Sequence, residues 1–407
     1  MKNTKITLSL FINYFVFAIL LNSVGTVILQ VQNNFQVGQT AASVLEACKD
    51  LSIAALSFFA FSFFNRLGYK KAMLLALGVV SVVCMLTPSF ASFGMTEILF
   101  IAVGASFALI KMSVYGTIGL ITDNEKEHIS LMNFLESFFM IGILSGNFLF
   151  SFYVKNNPNG TDWFSVYYVL GGLSLLAFLL LWTSPLDESS IQREEAKNIG
   201  NEFSEMLTLL KTPIVLVFVV CAFFYVLMEQ SIMSWLPTFN QDVLKLSTYL
   251  SIQMASMLAL FTALGRFLAG IVMRKIEWYT TLTICLILSA VLVLIAIPMA
   301  QNADGSQATT WLEAPIATFI FPLIGLLIAP IYPAINSLIL NTLPKYKHGL
   351  MSSLIIVFSA LGGTTGSLIT GRIFETLGGQ KAFYFSLLPI VVLLISLYFF
   401  KKLQAKS

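Results

Sequence analysis

Long apolar runs alternate with short polar breaks along the whole chain. Each run holds roughly 18 or more mostly apolar residues, enough for a helix to cross a bilayer core of about 30 Å. The pattern predicts spans at 6–30, 39–64, 72–92, 96–121, 129–154, 163–184, 212–238, 246–273, 278–300, 314–342, 349–374 and 381–400. The tenth is the least regular, because Pro322, Pro330 and Pro333 interrupt it. The first follows MKNTK and is too long for a signal-peptide core, so it is expected to be a retained span. Residues 185–211, PLDESSIQREEAKNIGNEFSEMLTLLK, form the one long polar stretch, and their charge spacing predicts an amphipathic surface helix. The expected architecture is therefore an all-α membrane protein of twelve transmembrane helices. They form two pseudo-symmetric six-helix bundles, 1–184 and 212–407, joined by a cytoplasmic linker over 185–211.

Composition supports lipid as the solvent. The 407 residues are 57% hydrophobic and 11% charged, too apolar to cover a water-facing surface. The formal charge of +3 is too small to point to nucleic acid, and no such partner is expected. Cys48, Cys84, Cys221 and Cys285 all fall inside spans, where they read as small apolar core residues rather than disulfide partners. Of the 23 Lys and Arg residues, Lys155, Lys245, Arg372 and Lys381 fall on the outer side when the N-terminus is inside. Lys49, Lys111 and Arg266 fall within spans, and the rest lie inside. That bias predicts an inner (cytoplasmic) membrane protein with both termini cytoplasmic.

The halves echo each other. FNRLGYKKAML follows span two and GRFLAGIVMRKIEWYT follows span eight, both tight basic turns on the cytoplasmic side. With twelve spans and a central polar loop, the chain resembles the major facilitator superfamily, whose fold holds the substrate between two bundles near the midplane. Within that superfamily it is similar to the fucose–proton symporter (fucose permease-like) family. The pieces that carry this likeness are FYVLMEQSIMSW, GRF, PIYPAINSL and LGGTTGSLITGRI, with NFLESFFMIGILSG resembling that family's N-x-x-[QE]-[ST]-F segment. The resemblance implies membrane carboxylates on spans one and four that handle protons and sugar. This chain departs from that pattern: Asn13 and Asn22 are the polar centre of span one, and Lys111 stands in span four.

Charged residues inside spans mark candidate sites, because a lone charge at mid-bilayer costs about 3 kcal/mol on insertion scales and must find partners. In LEACKDLSIAA, Glu46, Lys49 and Asp50 share one helical face. Lys49 neutralises one acid, so the other needs a second cation or a proton. The set is a candidate proton-coupling site, with a structural salt-bridge network as the alternative. Lys111 and Glu136 lie on adjacent antiparallel spans at comparable distance from the loop TDNEKEH. Lys111 is placed to hold a substrate carboxylate or hydroxyls and Glu136 to accept hydroxyls or a proton. An ion pair between the two is the alternative.

Glu229 and Gln230, with Tyr225 one turn before and Trp235 after, suit sugar binding, in which rings stack on C–H groups and amides or carboxylates take hydroxyls. Trp235 equally suits an interfacial aromatic belt. Tyr332 and Asn336, four apart in the proline-broken tenth span, are expected to line a cavity. Gly362, Gly363, Gly366 and Gly371 suit close helix packing. Arg66, Arg266 and Arg274 are assigned to a cytoplasmic gate.

The substrate-binding set is thus Asn22, Lys111, Glu136, Glu229, Gln230, Tyr332 and Asn336. Enzyme chemistry finds little support: His128 and His348 lie in loops, no residue cluster has metal-ligand spacing, and no GxxxxGK[ST] loop occurs. No cofactor or metal is expected. The reading is a secondary transporter working as a monomer, taking up a sugar or acidic sugar derivative with protons by alternating access. Proton-driven export of drugs or siderophores is the alternative, which the 36 Phe residues would serve by lining an apolar cavity. A membrane-embedded acyltransferase or hydrolase is the alternative from another class.

Overall fold

The computed structural model describes residues 4–122, 125–155, 157–188, 199–344 and 347–404, and no strand occurs among them. The helices are α1 Thr4–Asn22, α2 Val24–Phe35, α3 Gln39–Ala42, α4 Val44–Leu67, α5 Tyr69–Leu86, α6 Phe93–Ile121, α7 Glu125–Val154 and α8 Val166–Trp182. They continue as α9 Ile199–Leu210, α10 Pro213–Met233, α11 Leu236–Asp242, α12 Thr248–Val272 and α13 Trp278–Gln301. The last five are α14 Ala317–Ile328, α15 Ile331–Thr342, α16 His348–Leu377, α17 Gly379–Tyr384 and α18 Leu387–Gln404.

Among the described residues, 11 helical stretches are long and apolar enough to cross a membrane, which makes this a multi-pass membrane protein. The second predicted span corresponds to α4, 24 residues long and so about 36 Å at the helical rise. It carries Glu46, Lys49 and Asp50 near its start and stands outside those 11. The all-α architecture expected from the sequence holds.

The breaks within spans have local causes. The first predicted span is two helices meeting at Ser23, whose hydroxyl donates to the Leu20 carbonyl at 2.9 Å, with Gly25 just beyond. It also runs on to Phe35, five residues past the predicted end. The seventh span breaks at Ser234 and resumes as α11, with Pro237 in its first turn. The tenth breaks between α14 and α15 at Ala329–Pro330, where the prolines foretold it. Gly68 makes the basic turn between α4 and α5 at φ 77, a conformation that favours glycine. The adjoining Lys70 amide donates to Glu188 at 2.7 Å. From the polar stretch 185–211, the helix Ile199–Leu210 buries Met206 and Leu209 and exposes Ser204, Glu205 and Thr208, with Leu207 the apolar residue left on the exposed side. Residues 189–198 of that stretch lie outside the described residues.

The chain divides into two compact units, Met1–Val24 with Cys48–Asn198, and Gly25–Ala47 with Ile199–Ser407. In the first, α1 packs on α7 and α8, and α5 on α6 and α8. The Ser9 hydroxyl reaches the Ala177 carbonyl at 2.7 Å inside it. In the second, α10 packs on α16 and α18, while α14 packs on α12 and α13. The α10–α16 seam depends on two glycines: a Cβ on Gly362 would lie 2.3 Å from the Phe223 carbonyl oxygen, and one on Gly366 2.3 Å from that of Leu227. Between helices in lipid, packing of small residues replaces the hydrophobic effect as the main attraction.

Residues 25–47 join the second unit through specific contacts. Asn33 and Gln241 exchange amide hydrogen bonds at 3.2 and 3.0 Å, and Glu375 accepts from the Thr40 amide at 3.2 Å and from its hydroxyl. A Cβ on Gly25 would meet the Ser234 carbonyl oxygen at 2.7 Å. All four cysteines are free, with Cys84 and Cys221 buried.

Candidate functional site

Two polar clusters sit within the spans, one in each unit. The cluster in the first unit is built on α1, α6 and α7. Tyr115 on α6 donates its hydroxyl to Glu136 Oε1 on α7 at 2.9 Å. Tyr14 on α1 stands beside Tyr115 and within electrostatic reach of Glu136. Tyr14 also packs edge-on against Phe139 at 5.7 Å, and Phe107 lies 6.3 Å from Phe139, so the polar groups have an aromatic wall.

Lys111 lies one helical turn before Tyr115, exposed and within electrostatic reach of Glu136. Among the described residues it forms no ion pair within 4.0 Å, so the ion-pair alternative for Lys111 and Glu136 gives way to a phenol–carboxylate bond. The reason is local. A tyrosine four residues from Lys111 projects from the same helix face, and its rigid ring carries the hydroxyl to the carboxylate. Tyr115 was readable in FALIKMSVYG only by that spacing.

Asn22 closes α1, and its amide donates to the Ala18 carbonyl of its own helix at 2.9 Å. Among the described residues, no hydrogen bond ties it to the Tyr115–Glu136 cluster. Asn13 is fully buried, and neither of its side-chain polar atoms has a hydrogen-bond partner among the described residues. On α4, Lys49 and Asp50 form an ion pair at 3.4 Å, both nearly enclosed.

The second unit's cluster is built on α10, α12, α15 and α16. Tyr225 donates its hydroxyl to Glu229 Oε1 at 2.8 Å, one turn along the same helix. Its ring stacks on Tyr332 of α15, with centroids 5.3 Å apart and planes 19° from parallel. The Tyr332 hydroxyl meets Ser359 Oγ of α16 at 2.9 Å, and the Asn336 side chain lies against the same hydroxyl. Arg266 on α12, which the sequence groups with the gate, lies within electrostatic reach of both tyrosines. Tyr332 lies within electrostatic reach of Glu229, and Asn336 lies against Tyr332. Ser359 carried no signal in the sequence.

Gln230 points elsewhere. Ser234 donates its hydroxyl to Glu46 Oε2 at 2.6 Å and lies 3.3 Å from Gln230 Oε1. Glu46 is fully buried there. Neither reading of Trp235 holds. It is fully buried, its Nε1–H donates to Ser367 Oγ at 3.1 Å, and its ring stacks on Phe374 at 5.3 Å. A ring in that position is packing, neither a sugar platform nor an interfacial anchor. Arg274 is exposed just beyond α12, and the Arg66 side chain lies outside the described residues.

Chemically, each cluster offers a carboxylate whose hydrogen bond is supplied by a tyrosine, beside a cation on a neighbouring position. Stacked rings, amides and hydroxyls suit a polyhydroxylated ligand, and the cations suit an anionic group.

Comparison with known proteins agrees with the fold. The Major Facilitator Superfamily model matches residues 7–367. A D-xylose–proton symporter superposes with a TM-score of 0.79 at 13% identity, covering 98% of this chain and 97% of its own. The nucleoside transporter NupG gives 0.73 at 12% identity, covering 98% and 99%. The fucose:proton symporter FucP of E. coli gives 0.63 at 15% identity, covering 97% and 98%. At such identities the likeness is one of fold. No curated protein matches the chain by sequence.

Proposed function

Because the chain belongs to the Major Facilitator Superfamily, we propose that it takes up a sugar or acidic sugar derivative together with protons, by alternating access. Membership makes it a transporter, not an enzyme. The sugar reading rests on one observation above all: the part-exposed ring of Tyr332, backed by the fully buried Tyr225 whose hydroxyl holds Glu229. Aromatic faces beside a carboxylate and an amide are what a ring of C–H and O–H groups requires. Two structures of the same fold, a D-xylose–proton symporter and the fucose:proton symporter FucP, are compatible with it.

Proton coupling is assigned to the carboxylates of α4. Asp50 pairs with Lys49, and Glu46 accepts from Ser234, all within a helix whose burial penalises charge. Taking up a proton neutralises a carboxylate before enclosure, and renewed hydration releases it. That difference between states is the differential affinity that coupling needs. The proposed setting is the inner membrane, with both termini cytoplasmic, halves 1–184 and 212–407 joined by 185–211, and a monomer as the working unit.

The test uses the full chain in proteoliposomes, with labelled hexoses and hexuronates and an imposed pH gradient. Accumulation of one of them that collapses with a protonophore is expected. Expulsion of a lipophilic drug or siderophore without sugar movement would replace this reading with the exporter.

A further inference from the structure

The cluster around Tyr225 holds two polar atoms of opposite kind without a protein partner. Among the described residues, the buried Nε of Arg266 has no acceptor and the buried Oδ1 of Asn336 has no donor. Among the described residues Arg266 also forms no ion pair within 4.0 Å. An arginine within a membrane span is costly and persists where something pairs with it. Leaving a buried donor or acceptor unsatisfied adds a further penalty. A purely structural arginine would be expected to meet a protein carboxylate at ion-pair distance.

Building on the sugar reading above, we infer that Arg266 holds the carboxylate of an acidic sugar, while Asn336 accepts a ring hydroxyl. The guanidinium presents a planar fork of N–H donors that matches a carboxylate oxygen pair, which a lysine ammonium does not. The Asn336 oxygen is the complementary half: it needs a donor, and a sugar hydroxyl is one. Tyr332, part-exposed, stacked on the buried Tyr225 and close to Arg266, supplies a ring face beside these two contacts. A ligand that satisfies both orphaned atoms must carry an anionic group and hydroxyl donors within the reach of one cluster. Hexuronates and related sugar acids fit that demand. A neutral hexose leaves Arg266 unpaired, and a simple carboxylate leaves Asn336 unpaired. Arg266 thereby becomes the residue that selects acid over neutral sugar.

The test measures equilibrium binding of D-glucuronate and D-glucose, which differ only at C6, to the purified full-length protein. Wild type should bind glucuronate more tightly. Arg266→Gln should weaken glucuronate by roughly 10- to 100-fold, the range for one charge-assisted hydrogen bond, and leave glucose within about threefold. Asn336→Ala should weaken both ligands to a similar degree, because both carry the hydroxyl it accepts. Arg266→Lys keeps the charge without the fork and should recover part of the glucuronate affinity. It also serves if the glutamine variant fails to fold. Equal loss of both ligands in Arg266→Lys, or unchanged glucuronate binding in Arg266→Gln, overturns the assignment while the sugar reading stands. Binding of neither ligand by wild type removes both.

Discussion

Ser234 donates its hydroxyl to Glu46 across 2.6 Å, joining a residue at the break of the seventh span to the first acid of LEACKDLSIAA. Both are buried, Glu46 completely. A hydrogen bond to an ionised group contributes roughly 1.5–3 kcal/mol when its alternative is an unsatisfied charge. Glu46 is therefore held at one defined place, and its protonation alters that contact directly.

Proton coupling is testable at both α4 acids. Glu46→Gln and Asp50→Asn should each preserve counterflow of labelled substrate and lose accumulation driven by a pH gradient. If both variants still accumulate substrate against its gradient and move protons as wild type does, the acids are structural.

Among the described residues Lys111 has no carboxylate within 4.0 Å, so its removal should cost function more than stability. Lys111→Met is expected to raise the transport KM at least severalfold while thermal unfolding in detergent moves by only a few degrees. Combining it with Glu136→Gln should not restore uptake. Recovery in the double variant would revive the ion-pair account.

The α10–α16 seam predicts a steep local penalty. Gly366→Val puts a branched side chain where the Leu227 carbonyl oxygen already lies 2.3 Å from a bare Cβ. Overpacking of this kind costs about 1–3 kcal/mol, and here backbone rather than a flexible side chain must yield. Gly270→Ala is the control, since nothing lies within 4 Å of its Cβ. A differential unfolding measurement should separate the two clearly, and equal stabilities would contradict the packing described.

The loop before α14 has a pH-sensitive cap. The Glu313 carboxylate accepts from the Thr309 amide at 2.8 Å and the Thr310 amide at 3.2 Å, and these bonds hold it below the usual glutamate range. A carboxyl whose folded pKa is depressed contributes fully above its unfolded pKa and loses that contribution as pH falls through the folded one. Hydrogen exchange at the Thr309 and Thr310 amides, corrected for intrinsic rates, should lose protection below the ordinary glutamate range. Glu313→Gln should remove that dependence, and an unchanged profile would count against the cap.

Much of the architecture was legible because lipid imposes a length and a polarity on every span. Eleven runs of the predicted pattern are helices that meet the crossing criterion, and the prolines of the tenth span mark its break. Segments such as FYVLMEQSIMSW and PIYPAINSL carried Glu229, Tyr332 and Asn336 to notice, since polar groups in an apolar run stand out. Periodicity along one helix also placed Tyr225 a turn from Glu229, where it bonds. Partners on different helices were beyond its reach. Glu136 was matched to Lys111 by charge, yet a neutral tyrosine took it, because which side chain arrives depends on rotation and depth of packed helices. Trp235 looked like a ligand or an anchor until Ser367 and Phe374 enclosed it. Residues 25–47 precede the linker by well over a hundred positions, and only side-chain fits such as Asn33 with Gln241 assign them to the second compact unit. Sequence thus settles what each segment must bury from lipid, a local property of composition and period. Which buried group meets which is a property of helix faces in three dimensions, and only their packing decides it.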